Sequence, residues 1–168
     1  MQDADGSVGE YVYFGIKKGL KDCIDVNVYS KATIFVQFNA DGVALTKSGE
    51  KGFWVISAKI LYKPDIYKPF PVAIYCGNSK PLSVDDYLRE LIHELNILQA
   101  NGIVIENKLF NVRIHCFVCD MPARTFLKCT KGHGGFYACE RCEIHGIKAD
   151  NVTEYPLIYC AERTDQKF

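Results

Sequence analysis

The sequence predicts an α/β fold: a mixed β-sheet flanked by helices, with a cysteine- and histidine-rich insert after it. Three observations carry this. β-Branched and aromatic segments follow one another at 32–38, 52–61 and 70–76. An amphipathic helix pattern then covers 84–100, and a further strand-like run ends at Cys119. Three sequential strands, a helical crossover and a fourth strand make a mixed sheet, because only a crossover lets a strand return parallel. With 168 residues, 48% of them apolar and 24% charged, the chain can build a hydrophobic core and is too apolar for wholesale disorder.

Taken in order, residues 1–10 are polar and acidic and read as a flexible tail, 11–130 as the core, and 131–168 as the insert and the end of the chain. Apolar residues at Phe14, Ile16, Leu20, Cys23 and Ile24 predict a helix over 11–24, interrupted by Gly15 and Gly19. The run 32–38 has little alternation, as a strand buried on both faces would, and ends in Asn39-Ala40-Asp41-Gly42, which is turn chemistry. Lys63-Pro64-Asp65 separates the next two strands. The helix at 84–100 has Ser83 as its N-cap and Asp85 in its positive first turn. Val84, Tyr87, Leu88, Leu91, Ile92, Leu95 and Leu98 give it one apolar face, and Asn101-Gly102 ends it. Strands at 103–106 and 112–119 follow, and Pro122 opens a short helix at 123–129.

Charge and cysteine content limit the function. Twenty basic residues balance twenty acidic ones, which excludes a nucleic-acid binder acting through an overall basic field. No apolar run approaches the 18 or so residues of a spanning helix, so no membrane partner is expected. The polar start carries no secretory signal, so the eight cysteines are expected as reduced thiols inside the cell, some of them binding metal.

Two carboxylates stand out by position. Asp41 ends the first central strand and Asp120 ends the strand after the helix. If those strands are parallel neighbours, the side chains emerge at one sheet edge about 5 Å apart. Carboxylates that close repel unless a cation lies between them, and hard oxygen ligands suit Mg²⁺ or Mn²⁺. The alternative is that each aspartate caps a turn or a helix, the commoner role for such positions. Cys116-x-x-Cys119 and Cys139-x-x-Cys142 match a four-cysteine zinc spacing, but residues three apart in a strand point to opposite faces. The expected Zn²⁺ site is therefore Cys139, Cys142 and His133, its fourth ligand open among Cys129, His145 and Cys119. Cys23, Cys76 and Cys116 read as inert thiols, and His93 and His115 as surface or partly packed histidines. No cysteine has a distinct Cys-His-acid arrangement, which leaves a cysteine-based enzyme as a distant alternative. Lys59, Lys63 and Lys68, interleaved with Tyr62, Tyr67 and Phe70, could touch phosphates, although such a stretch is usually a solvated edge.

Several of these segments resemble the catalytic domain of CACTA-like DNA transposases. They are Asn39-Ala40-Asp41-Gly42-Val43-Ala44-Leu45-Thr46-Lys47-Ser48, Phe53-Trp54, and Ala73-Ile74-Tyr75-Cys76-Gly77-Asn78-Ser79-Lys80-Pro81. Phe117-Val118-Cys119-Asp120-Met121-Pro122-Ala123-Arg124, Lys131-Gly132-His133-Gly134-Gly135 and Cys139-Glu140-Arg141-Cys142 extend the match, as does Arg163-Thr164-Asp165 with Phe168. The resemblance spans about 11–168. It implies a ribonuclease-H-like fold, two-metal phosphoryl transfer on DNA with Asp41 and Asp120 as metal-holding carboxylates, and a nuclear location. It also implies a third acid on a downstream helix, and Glu154, Glu162 and Asp165 do not match that place. Leu45 with Val43, Ala44 and Thr46 replaces the family's Pro-Leu-Phe, and Met121 replaces its alanine. The expectation is a fragment or domesticated remnant of a cut-and-paste transposase, with little strand transfer alone. DNA is the partner in the full-length family member, and a homo-oligomer or another partner would cover an exposed sheet face. The alternative is a non-catalytic, zinc-stabilised interaction module.

Overall fold

The computed structural model describes residues 1–45, 51–132, 134–164 and 166. They form two compact units, Met1–Cys119 and Asp120–Phe168, a boundary earlier than the expected one at 130/131. The fold is mixed α/β. Thr46, Lys47, Ser48, His133, Asp165 and Phe168, named above, lie outside the described residues.

The first unit is built on a six-stranded sheet. Its elements in chain order are β1 (Glu10–Tyr13), α1 (Ile16–Cys23), β2 (Thr33–Ala44), β3 (Gly52–Ile60), β4 (Phe70–Gly77), α2 (Val84–Asn101), β5 (Ile103–Ile105) and β6 (Lys108–Cys119). The strand order is β1-β4-β3-β2-β6-β5. Strands β2, β3 and β4 pair antiparallel, and β6 returns beside β2 in parallel after the α2 crossover, as the sequence predicts. Ile34, Val36, Phe38 and Ala40 of β2 are buried, and so are Ile56, Ala58 and Ile60 of β3 opposite them. Alternate residues share a sheet face, so these positions form the core side, where α1 packs against β4 and α2 against β6. The other side is half-open and mixed, with Phe35, Gln37, Asn39 and Asp41 from β2. The sequence reading of 32–38 as buried on both faces is corrected accordingly.

Helix α2 forms where its periodicity requires, burying Tyr87, Leu91, Leu95 and Leu98. The Ser83 hydroxyl accepts the Asp86 amide at 3.1 Å, and Gly102 with φ 70° ends the helix. The helix expected over 11–24 starts only at Ile16. Residues before it instead add β1 to the edge of β4, pairing Tyr11 with Tyr75 and Tyr13 with Ala73. Gly15, at φ 92°, turns the chain between the two. β5 and β6 form a hairpin through Glu106 and Asn107, both at positive φ, which the sequence reading left as separate strands.

The opening residues also depart from expectation. Residues 1–9 are not a loose tail: Gln2 bridges Val8, Asp3 bridges Pro81, and the Ala4 amide donates to the Lys80 carbonyl at 3.0 Å. Asp3 anchors the segment. Its carboxylate is 1% exposed and accepts from the Ser7 hydroxyl at 2.6 Å, the Asn78 amide at 2.9 Å and the Tyr75 hydroxyl. A buried carboxylate with several donors is satisfied rather than stranded.

The second unit holds α3 (Met121–Leu127) and a small hairpin of β7 (Ile147–Ala149) with β8 (Val152–Glu154), turned at Asp150 and Asn151 with positive φ. Helix α3 begins two residues ahead of the expected 123. Arg124 and Lys128 pair with Glu140 at 3.3 and 3.1 Å, which ties α3 to the cysteine-bearing segment and explains the earlier unit boundary. Among the described residues no helix is long and apolar enough to cross a membrane.

Candidate functional site

The two aspartates are placed by different devices. Asp41 does not end its strand: β2 continues to Ala44 because β3 keeps pairing, with Asp41 opposite Val55 and Gly42 opposite Trp54. The parallel ladder with β6 does stop there. Its last pair is Ala40 with Cys119, preceded by Asn39 with Val118, and the next residue along each chain is an aspartate. The Asn39 side-chain amide donates to the Val118 carbonyl at 2.8 Å and fixes the end of that ladder. Asp41 is half-buried on the open side of the sheet.

Asp120 caps α3. Its backbone is extended, its Oδ1 accepts the Ala123 amide at 2.8 Å, and Pro122 in the first turn needs no donor partner. The bland role considered for Asp120 is therefore real. A cap uses one oxygen, and the carboxylate keeps a second one. Asp41, by contrast, lies inside β2 and caps no helix or turn among the described residues.

Cys139 and Cys142 meet, with the Cys142 Sγ donating to the Cys139 Sγ at 3.3 Å. The amides of Arg141 and Cys142, and then the Arg163 guanidinium, stabilise a thiolate at Cys139 and hold its thiol below the ordinary range. At Cys142 the Ile144 amide pulls the other way, but the bond to Cys139, burial and the charges of Cys139 and Cys160 leave it raised. Cys139 is thus the more acidic of the two thiols.

The remaining zinc candidates are not assembled around this pair among the described residues. Cys129 is exposed with φ 52°. His145 is held by rings, stacked 5.5 Å from Phe136 and edge-on to Tyr137 at 4.6 Å. Cys119 belongs to the first unit, at the end of β6, and His133 lies outside the described residues. No group of three or more His, Cys, Asp or Glu side chains is placed to hold a metal ion among the described residues.

The sequence reading gave Cys160 and Arg163 no part in a site. Residues 160–163 return antiparallel to 141–143: the Glu143 amide donates to the Ala161 carbonyl at 2.9 Å, the Arg163 amide to the Arg141 carbonyl at 2.9 Å, and Cys142 bridges Glu162. That pairing brings the Cys160 sulfur within electrostatic reach of Cys142. Arg163 clamps the loop from outside, donating to the Cys139 carbonyl at 2.9 Å and the Tyr137 carbonyl at 3.2 Å. A lone cysteine far from the paired ones carries no spacing signal, which is why sequence reasoning passed over it.

The chain matches no family model and no curated protein.

The other singled-out residues are dispersed. Cys23, Cys76 and Cys116 are half-buried free thiols on α1, β4 and β6, and His93 and His115 are exposed. Tyr67 and Phe70 are core residues, whereas Lys59 and Lys63 line a cleft of about 410 Å³.

Proposed function

We propose that this chain is a fragment or domesticated remnant of a cut-and-paste DNA transposase, with a ribonuclease-H-like core whose Asp41 and Asp120 hold Mg²⁺ or Mn²⁺. The observation that carries the reading is the register of the two parallel strands: Ala40 pairs with Cys119, and each strand continues into an aspartate. The order β4-β3-β2-β6, antiparallel except for the last pair, supports it. Hard divalent ions held by such carboxylates supply charge neutralisation and an activated oxygen nucleophile for phosphoryl transfer. The chain's own contribution is to present Asp41 from a paired strand and to fix Asp120 at the start of α3, where its Oδ1 accepts the Ala123 amide.

Turnover is expected to be weak. Glu154 lies in the short β8 and Glu162 in an isolated bridge, so neither is a helix-borne third acid. An assay of Mg²⁺- or Mn²⁺-dependent DNA nicking, comparing this chain with Asp120→Ala, tests the metal role. Equal activity in both would exclude it.

The cap made by Asp120 favours a second reading, a non-catalytic interaction module in which Zn²⁺ stabilises the second unit. Cys139, Cys142 and His133 would hold that ion together with a fourth ligand. Zinc content of the purified chain should drop in the Cys139→Ser, Cys142→Ser double variant. An unchanged content would remove zinc from the account.

A further inference from the structure

A basic and aromatic cleft opens on the uncovered side of the sheet, at the start of β2. Phe35 forms its floor. This side chain sits in a central strand yet is 41% exposed, because α1 and α2 occupy the opposite side. Tyr62 forms a wall and is held rigidly: its hydroxyl donates to the Val28 carbonyl at 3.0 Å, and its ring lies 5.0 Å from that of Tyr29. Lys31, Lys59 and Lys63 line the cleft against one acid, Asp65. Lys59 is paired with Asp65 at 2.6 Å, while Lys31 and Lys63 have no ion-pair partner among the described residues. Lys31 lies 5.6 Å from the centre of the Tyr62 ring.

The backbone has been adjusted at this place. Val36 pairs with Ile114 but Gln37 pairs with Cys116, so His115 is an extra residue in β6 and is turned toward the cleft. Bulges of this kind re-aim a side chain and are common beside functional sites. The cleft therefore combines an open aromatic face, two unpaired ammonium groups and an imidazole.

We propose that this cleft binds single-stranded nucleic acid, a base stacking on Phe35 while Lys31 and Lys63 contact the flanking phosphates. A single strand is the fitting occupant because only unpaired bases expose a ring face to stack, and its phosphates complement the excess of lysine. A chain of zero net charge has no overall field for holding duplex DNA, so any affinity has to come from a local site such as this one. The site is separate from the aspartates. Phe35 precedes Asp41 by six positions on the same strand, which is about 20 Å along it.

Fluorescence anisotropy of the full chain with labelled oligo(dT), and with the matching duplex, tests the inference. Oligo(dT) should bind more tightly than duplex at low salt. Phe35→Leu keeps an apolar side chain but removes the ring, and should weaken oligo(dT) binding roughly 5- to 100-fold. Lys31→Gln with Lys63→Gln should weaken it and lower the salt slope by about 1.4. Asp41→Asn should bind as the parent chain does, whatever becomes of its nicking activity. Circular dichroism confirms that each variant is folded, and Phe35→Tyr, which restores a ring, should recover binding. Absence of oligo(dT) binding by the parent, preference for duplex, or full affinity in Phe35→Leu would overturn the proposal. Loss of binding in Asp41→Asn alone would also overturn it and would move the strand to the carboxylate edge.

Discussion

Single side chains in this protein settle needs that the local sequence leaves open, and Glu94 shows how. Helix α1 starts after Gly15, which has no side chain to cap it, so its first amides lack local acceptors. Glu94 of α2 supplies them, accepting from the Ile16 amide at 2.6 Å, the Lys17 amide at 3.1 Å and the Tyr13 hydroxyl at 2.6 Å. One carboxylate thereby joins β1, α1 and α2. Glu94→Ala should cost about 1–3 kcal/mol in urea unfolding, because it removes a cap and strands half-buried donors. Glu94→Gln should cost less, since one oxygen still accepts. Equal midpoints for Glu94→Ala and the parent would show that the three bonds add nothing. This link spans almost eighty positions, and no local pattern in the sequence announces it. A glutamate on the exposed-looking flank of an amphipathic helix reads as solvated.

Elements were legible in proportion to how regular their pattern is. Helix α2 and the strands β3 and β4 came through nearly residue for residue, because periodicity, cap and turn signals agree there. The stretch before α1 misled: Tyr11-Val12-Tyr13 pairs along β4, and strand pairing outweighed a loose helical spacing. The extra residue at His115 and the extension of β2 through Asp41 depend on neighbouring strands, so they have no local signal. At α3 the element and the proposed chemistry share one residue, and substitution can separate them. Asn caps helices about as well as Asp, so Asp120→Asn should change stability by less than about 0.5 kcal/mol, while Asp120→Ala loses about 1 kcal/mol. If the carboxylate also holds a divalent ion, Asp120→Asn should lose metal-dependent nicking despite its normal melting curve. A variant that melts normally and nicks like the parent would assign Asp120 to capping alone.

At the scale of the whole chain, the feature with the most general consequence is a set of tyrosines built into the first unit. Tyr11, Tyr13, Tyr29, Tyr67 and Tyr87 are all held above the ordinary tyrosine value of 10.0, in each case first by burial. Tyr11 is pushed up to about 12, with Glu90 adding to the effect, and Tyr29 to about 12 with help from Tyr67 and Tyr62. None of this was readable from composition, which shows ten tyrosines without saying which are enclosed. The sign of the linkage follows directly. Above pH 10 the unfolded chain releases phenolic protons that the folded chain retains, so unfolding is favoured increasingly as pH rises. The stabilisation is complete below about pH 10 and is lost as pH climbs toward about 12 and beyond. Several tyrosines act together, so the loss should be steep and cooperative. A spectrophotometric titration followed beside near-ultraviolet circular dichroism should show the enclosed phenolates appearing together with the collapse of tertiary structure. Complete phenolate formation in a chain whose tertiary spectrum is intact would mean that these rings are open to solvent. Tyr87→Phe removes one of the enclosed hydroxyls and should move the alkaline transition to higher pH, since one proton fewer is released on unfolding.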